Sequence, residues 1–408
     1  MPTLEERRDT TLPRPTWALR PGYKAPLPEG MSFSRPSAAR TLDPTSGLYT
    51  SVPSGEKRIF GPQQGLLVEV SSRTNHVTWS SKISDSKWST PGASTETEKV
   101  SGIIGGEDAF AWSADKFEGP RQVDAGTFTS GEEVVHAFVE ERSADKFQVL
   151  VFDGSAENAA LATIDWANEE VSTLVEGIDA HVRVLSRNSL NEGNRLAHII
   201  IRYDPTDAEN GDVSGEGRRI ELRPNRTGTG QTIFHHAQIE ESLNASSPIV
   251  TGSSAVTRGG DQATINVGDW WNEQEMTFFY EIIPQFFHLN GFAGVLLNIS
   301  GKVQLYDTAP WGIEFRDGTG DRGPFHAYSV SPFESTKIAV SLISESDEVR
   351  LAVGGNVDVE QGGITVGLSG TSEYDLPSSF NPPPSTVVKT HRAIPKALPA
   401  TDLETLTV

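Results

Sequence analysis

Between residues 134 and 368 apolar and polar positions alternate with a period of two, the pattern of strands buried on one face. It predicts strands at Val134–Val139, Phe147–Phe152, His181–Leu185, Ala197–Tyr203, Ile220–Arg223 and Ile233–Ile239, separated by Gly, Asn, Asp and Ser. A second series follows at Met276–Ile283, Gly294–Ile299, Val303–Tyr306, Gly312–Phe315, Phe325–Val330, Lys337–Ile343, Val349–Val353 and Ile364–Leu368, with a hairpin turn at Gly301, Lys302 and Val303. No helical spacing of three turns competes with the first series. Short strands at regular intervals indicate an all-β chain of two antiparallel β-sandwich or jelly-roll domains in tandem. The join falls where RGGDQ, residues 258–262, interrupts the apolar pattern.

Both ends depart from this rhythm. Ten prolines between Pro2 and Pro62 remove backbone donors and argue against helices and central strands there. Pro382, Pro383 and Pro384 do the same near the other end. The expected organisation is an extended, basic, proline-rich anchoring arm (1–75), a jelly roll (76–262), a second sandwich (263–375) and a proline-rich C-terminal tail (376–408).

Charge sharpens the division. The 408 residues hold 34 Lys+Arg against 55 Asp+Glu, a net charge of −21. Residues 1–75 hold ten basic and seven acidic side chains, so +3 resides there and −24 in the remainder. Such an acidic body lacks the clustered cations that neutralise phosphates, and nucleic acid is not an expected partner. Eleven Lys against 23 Arg in an acid-rich chain suits a high-salt milieu, where screening relieves self-repulsion, and equally suits plain solubility. No apolar run reaches the roughly 18 residues that span a bilayer, and the start MPTLEERRDTTLPRP lacks the apolar core of a secretory signal. Neither membrane insertion nor export by that route is expected. Without cysteine there is no disulfide, no thiolate nucleophile and no cysteine-based zinc site.

The segment from Phe33 to Asn75 carries Phe33, Arg35, Ser37, Gly47 and Arg58, then Gly65, Leu66, Leu67, Val68 and Glu69, ending in Arg73, Thr74 and Asn75. It resembles a motif of tailed-virus structural proteins, F-x-R-x-S-x-A followed by an arginine and G-L-L-(I/V)-E-x-x-x-T-N. Ser86, Lys87 and Trp88 and the run Glu133–Glu141 continue the likeness. Ala237, Gln238, Ile239, Glu240, Thr251, Thr257, Arg258 and Asp261 are similar to that family's closing segment, with His235 and His236 replacing smaller residues. The resemblance implies a carbohydrate-binding-module-like jelly roll followed by a laminin-G or concanavalin-like sandwich. It also implies a virion-surface protein, a tail fibre, baseplate spike or capsid turret, whose partners are other virion proteins, further copies of itself as a homo-oligomer, and host glycans. On that reading Arg7, Arg8, Arg14, Arg20, Arg35 and Arg40 are the candidate virion-anchoring residues.

Side-chain chemistry points to binding more than to catalysis. The sequence has no G-x-S-x-G elbow, Walker loop or H-E-x-x-H. Glu240 and Glu241 are neighbours on a strand and point to opposite faces, so they do not form the facing carboxylates of a glycosidase. The same argument sends His235 and His236 to opposite faces, one buried and one exposed, and leaves them without a third metal ligand. Asp207, Glu209 and Asp212 beside the Asn210–Gly211 turn are the candidate Ca²⁺ ligands, although a solvated loop has the same composition. No other cofactor is expected. Sugars stack on aromatic rings while polar groups take their hydroxyls, and Tyr306, Asp307, Trp311 and Asp317 form the candidate glycan-binding cluster. Trp311 could equally plug one end of a core. Trp270 and Trp271 should place one ring inside and one at the rim. The function expected is a non-enzymatic virion-surface protein with glycan-binding capacity; the alternatives are a polysaccharide depolymerase, a structural spacer and a secreted carbohydrate-binding protein.

Overall fold

A computed structural model describes residues 17–19, 26–43, 45–61, 65–90, 95–113, 119–127, 131–152, 158–168, 170–173, 179–186, 195–204, 217–224, 230–242, 245–284, 293–299, 303–308, 312–317, 322–326, 334–362, 365–376 and 385–408. The chain is nearly all β, in antiparallel sheets, as the alternation predicts. Two units emerge. The terminal unit comprises Met1–Pro36, Ser54–Ser71 and Gly260–Val408, and the middle unit Ser37–Pro53 and Ser72–Gly259. No helix among the described residues is long and apolar enough to cross a membrane.

In the terminal unit one sheet runs Asn356–Gln361, Glu348–Val353, Thr336–Ile343, Glu275–Pro284, Ser385–Ile394, Gly65–Glu69, Arg58–Phe60, with Trp17–Leu19 also paired to Ser385–Ile394. A seven-stranded sheet runs Met31–Ser34, Gln262–Asn266, Glu373–Asp375, Ala293–Ile299, Val303–Thr308, Gly312–Asp317, Arg322–His326. The core draws on both sheets: Phe278, Tyr280, Val340 and Leu351 from the first, Ile265, Leu297, Leu305 and Phe315 from the second. Each such side chain contributes about 1.5–3 kcal/mol on burial. The helix Ala400–Thr407 packs Leu403 with Phe279, Ala339 and Ala352, residues that alternate with the core-facing ones.

The middle unit has two six-stranded sheets. One runs Asp179–Ser186, Leu196–Tyr203, Glu133–Glu141, Gln231–Glu241, Asp108–Ser113, Thr95–Ser101; the other runs Glu170–Thr173, Asn158–Asp165, Lys146–Phe152, Gly217–Arg223, Arg121–Thr127, Trp88–Ser89. Val135, Ala137, Ile199 and Ile239 of the first meet Phe147, Val149, Ile164 and Leu222 of the second in a single core.

The tandem division with extended terminal arms is replaced by one nested along the sequence. Prolines at the N-terminal end punctuate strands without preventing them: Pro28, Pro36 and Pro53 flank Met31–Ser34, Ala39–Leu42 and Tyr49–Val52. At the C-terminal end Ser385–Ile394 lies inside the eight-stranded sheet, paired with Glu275–Pro284 on one side and Gly65–Glu69 on the other. Pro395 follows that strand, and Pro399 supplies the N-cap of the helix. Of the predicted strand Ile364–Leu368, the described residues 365–368 are irregular, tied by the amides of Thr365 and Val366 to Asp317 and Asp347.

Candidate functional site

Along most of the seven-stranded sheet core residues alternate with residues that point away from the core, with register shifts between Val295 and Leu297 and between Glu314 and Arg316. Cross-strand register aligns these outward positions. Ser32 pairs with Thr264, Thr264 with Asp375, Asp375 with Asn298, Asn298 with Gln304, Gln304 with Arg316, and Arg316 with Arg322. A polar row from Ser32 to Arg316 therefore crosses six strands, a span of about 24 Å at ~4.8 Å per strand. Ser32 is exposed, Asp375, Asn298, Gln304 and Arg316 are half-buried, and Thr264 is buried. Exposed Ser34, Gln262, Asn266 and Glu373 widen the polar field.

Local contacts hold the row in place. Thr264 Oγ1 donates to Asp375 Oδ1 at 2.8 Å. Arg316 donates Nε and NH2 to the two carboxylate oxygens of buried Glu314 at 3.0 and 3.2 Å. The row thus offers hydroxyl, carboxylate, amide and guanidinium groups in sequence, a mixture suited to hydroxyls that both donate and accept.

Of the glycan candidates, Tyr306 lies on a strand of this sheet, in register with Glu314 and two positions along from Gln304. Asp307 pairs in register with core residue Ile313. Asp317 belongs to the buried side: it is 2 % exposed and accepts the Thr365 N–H at 2.9 Å, so it does not join the row. Trp311 lies outside the described residues, as do Asp207, Glu209 and Asp212. Trp270 and Trp271 are both half-buried against the core, ring centroids 5.8 Å apart. The sequence reading missed Thr264, Asp375, Asn298, Gln304 and Arg316. The alternation exposed them strand by strand, but the register that joins them into one line is non-local.

The residues of the Phe33–Asn75 segment have structural roles. In the terminal unit buried Arg58 bonds both Glu69 and Asp261, and Asp261 also accepts Arg35 NH1 at 3.3 Å and the Glu69 N–H at 2.7 Å. Burial alone would lower the Arg58 pKa, but the Glu69 and Asp261 carboxylates outweigh it and raise the pKa. Gly260 is required beside this cluster, because a Cβ there would meet the Val70 carbonyl oxygen at 2.0 Å. Arg35 is committed inside the fold and is not available to an external surface. Arg40, in the middle unit, donates to the carbonyls of Tyr49 and Gly105 at 3.2 and 3.3 Å. Arg7, Arg8, Arg14 and Arg20 lie outside the described residues. Asn75 is fully buried and bonds Ile249 O, the Val77 amide and the Ile239 amide.

His235 and His236 do not split as expected. The register of Glu133–Glu141 against Gln231–Glu241 shifts between Phe138 and Val139, which pair with His236 and Phe234, so His235 is the extra residue of a bulge. Both rings are buried, and the face that looks away from the core becomes a polar layer. His235 Nε2 donates to Glu140 at 3.0 Å while its Nδ1 accepts the Ile103 amide. Glu240 Oε1 accepts His136 Nε2 at 3.0 Å, Ser246 Oγ at 2.8 Å and the Gln238 amide. Gln238 Oε1 takes the Ile249 N–H, so His236 Nε2 must donate to it, leaving His236 Nδ1 to accept from Ser81. Burial pushes the His236 pKa down to about 3. Burial would raise the pKa of Glu240, but His136, Arg73 and Ser246 hold it below the usual value. Among the described residues no His, Asp and Glu group is arranged to hold a metal ion. Glu241, unlike Glu240, is exposed on the opposite face.

No protein-family model matches the chain, and no curated protein matches it. Solved structures share weak likeness. The CBM40 module of a Ruminococcus gnavus IT-sialidase, bound to α2,3-sialyllactose, is 12 % identical, with 34 % of this chain and 84 % of that one covered at a TM-score of 0.25. A Trypanosoma rangeli sialidase in complex with sialic acid is 10 % identical over 74 % of this chain and 60 % of that one, at 0.28. A heptameric pentraxin of Limulus polyphemus is 9 % identical over 33 % and 70 %, at 0.26. Scores this low transfer no ligand or activity.

Proposed function

We propose that the protein binds carbohydrate through the solvent face of the seven-stranded sheet without cleaving it, as a surface component of a tailed-virus particle assembled from several copies. The observation that carries the binding is the polar row from Ser32 to Arg316, whose groups match the spaced hydroxyls of a sugar chain lying across the strands. Placement on a virion rests on the sequence resemblance of Phe33–Asn75 and Thr232–Asp261. Repetition of a weak site over several copies would raise avidity without new contacts.

Binding is tested by presenting immobilised host-envelope and reference polysaccharides to the full chain. Retention is expected, with at least a tenfold loss in Asp375→Ala and Asn298→Ala. Absence of retention, or retention indifferent to both substitutions, overturns the reading, and release of new reducing ends would turn it into a hydrolase. Location is tested by antibody labelling of purified particles, where an unlabelled particle removes the virion assignment. Light scattering in molar and low salt tests assembly, and a monomer in both contradicts the multivalent form.

A further inference from the structure

The outward face of the seven-stranded sheet carries its charge unevenly. Its described outward side chains are Ser, Thr, Asn or Gln except at Glu314, Arg316, Glu373 and Asp375. Arg316 and Glu314 balance each other on one strand, joined by hydrogen bonds of 3.0 and 3.2 Å. Asp375 stands nearer the middle of the row, in register between Thr264 and Asn298. Glu373 lies two positions along the same strand and hence on the same face. Among the described side chains, then, this face sets three carboxylates against a single guanidinium.

Asp375 is placed to select what lies on the row. It is half-buried, and the hydroxyl of buried Thr264 donates to its Oδ1 at 2.8 Å, which fixes the orientation of the carboxylate. A carboxylate near neutral pH only accepts hydrogen bonds, so the ligand group that meets it has to donate. A sugar hydroxyl does so and gains a charge-assisted bond. A ligand carboxylate or sulfate has no proton to give, and like charges in contact repel, the more so at a half-buried position that salt screens less than open solvent. Such an anion would gain little from Arg316, whose charge Glu314 already balances. The net charge of −21 adds a longer-ranged repulsion of the same sign.

We propose that Asp375 restricts the polar row to uncharged glycans, a specificity that rests on the reading of the row as the glycan site. The test is affinity electrophoresis of the full chain at physiological salt in neutral dextran, mannan and galactan, and in the sulfated form of each. The neutral forms should bind about tenfold more tightly than the sulfated ones, a ratio that needs no variant to be measured. Asp375→Asn removes the charge and keeps an acceptor for Thr264, so its urea midpoint should not move. It should bind the sulfated forms about tenfold more tightly than the unsubstituted chain does. Glu404→Gln removes an equal charge from an exposed position on the helix Ala400–Thr407 and should leave the ratio of neutral to sulfated binding unchanged, which separates a local effect from one of net charge. Sulfated forms bound as tightly as neutral ones, a ratio unmoved by Asp375→Asn, or an equal response to Glu404→Gln would overturn the proposal and leave the glycan site standing. Binding of neither kind of polysaccharide would overturn the glycan reading itself, and the specificity with it.

Discussion

The outward faces of two sheets invite comparison: the seven-stranded sheet of the terminal unit and, in the middle unit, the six-stranded sheet containing Gln231–Glu241. Both turn a mainly polar face away from an apolar core. On the second, His136, His236, Gln238 and Glu240 are fully buried, and their partners Ser81, Ser246 and Ile249 come from segments outside the strands. Phe138 closes the layer, stacked on His198 at 4.2 Å and meeting Tyr49 edge-on at 5.1 Å. On the first, Ser32, Ser34, Gln262 and Asn266 stay exposed and four members of the row are half-buried. The same alternation therefore yields an interior layer in one place and a presentable surface in the other. What separates them is whether other segments supply hydrogen-bond partners over the face, since a buried polar group without a partner costs about 1–3 kcal/mol.

The comparison can be broken or sharpened by substitution. The largest effect is expected at the buried ionic cluster, which is the extreme of the closed condition: Arg58→Met takes the shared cation from Glu69 and Asp261, leaving Asp261 only Arg35, and should cost about 3–5 kcal/mol in urea unfolding. A loss below about 1 kcal/mol would show the cluster to be dispensable. Within the polar layer, Glu240→Leu strands His136, Gln238 and the Ser246 amide, and a loss of about 2–4 kcal/mol is expected by the same measurement. Acid should act on the layer too. His236 stays neutral when folded until about pH 3, whereas the unfolded imidazole takes its proton near 6.5. The unfolded state then binds more protons, so stability must fall as pH drops from about 6.5 toward 3. His391 in the terminal unit, also lowered to about 3 by burial, gives the same sign. His236→Gln should flatten the decline, and an unchanged profile would assign it elsewhere. The smallest effect belongs to the open face: Gln304→Ala should change stability by less than about 0.5 kcal/mol. A large loss there would mean that this face, too, is structural.

Much of the fold is legible in the sequence because period-two alternation is local. Val134–Val139, Ala197–Tyr203 and Lys337–Ile343 fall within observed strands. Two kinds of information are not local. The prolines argue against central strands, and the strands near Pro36 and Pro53 are short, yet Ser385–Ile394 becomes an interior strand through partners that lie more than 90 residues away. The bulge at His235 reverses one histidine's face, and a single strand read alone carries no sign of its partner's count. The candidate site was legible only as a neighbourhood: Tyr306 marks one strand of the sheet, while Asp375 and Thr264, adjacent across the sheet, are 111 residues apart. Arg35, Arg58, Glu69 and Asp261 were singled out by resemblance, but nothing in their spacing shows that they converge on one another.

The position of Ser385–Ile394 also sets a timetable for synthesis. Residues 72–259 can complete the middle unit as soon as they leave the ribosome, whereas Gly65–Glu69 must wait for a strand made more than 300 residues later. At ordinary elongation rates that delay is on the order of tens of seconds. Once residue 259 has emerged, the nascent chain carries a finished sandwich and a still unsatisfied sheet edge for the rest of that delay, so the early strands of the terminal unit are the part of this molecule most dependent on chaperone protection during its birth.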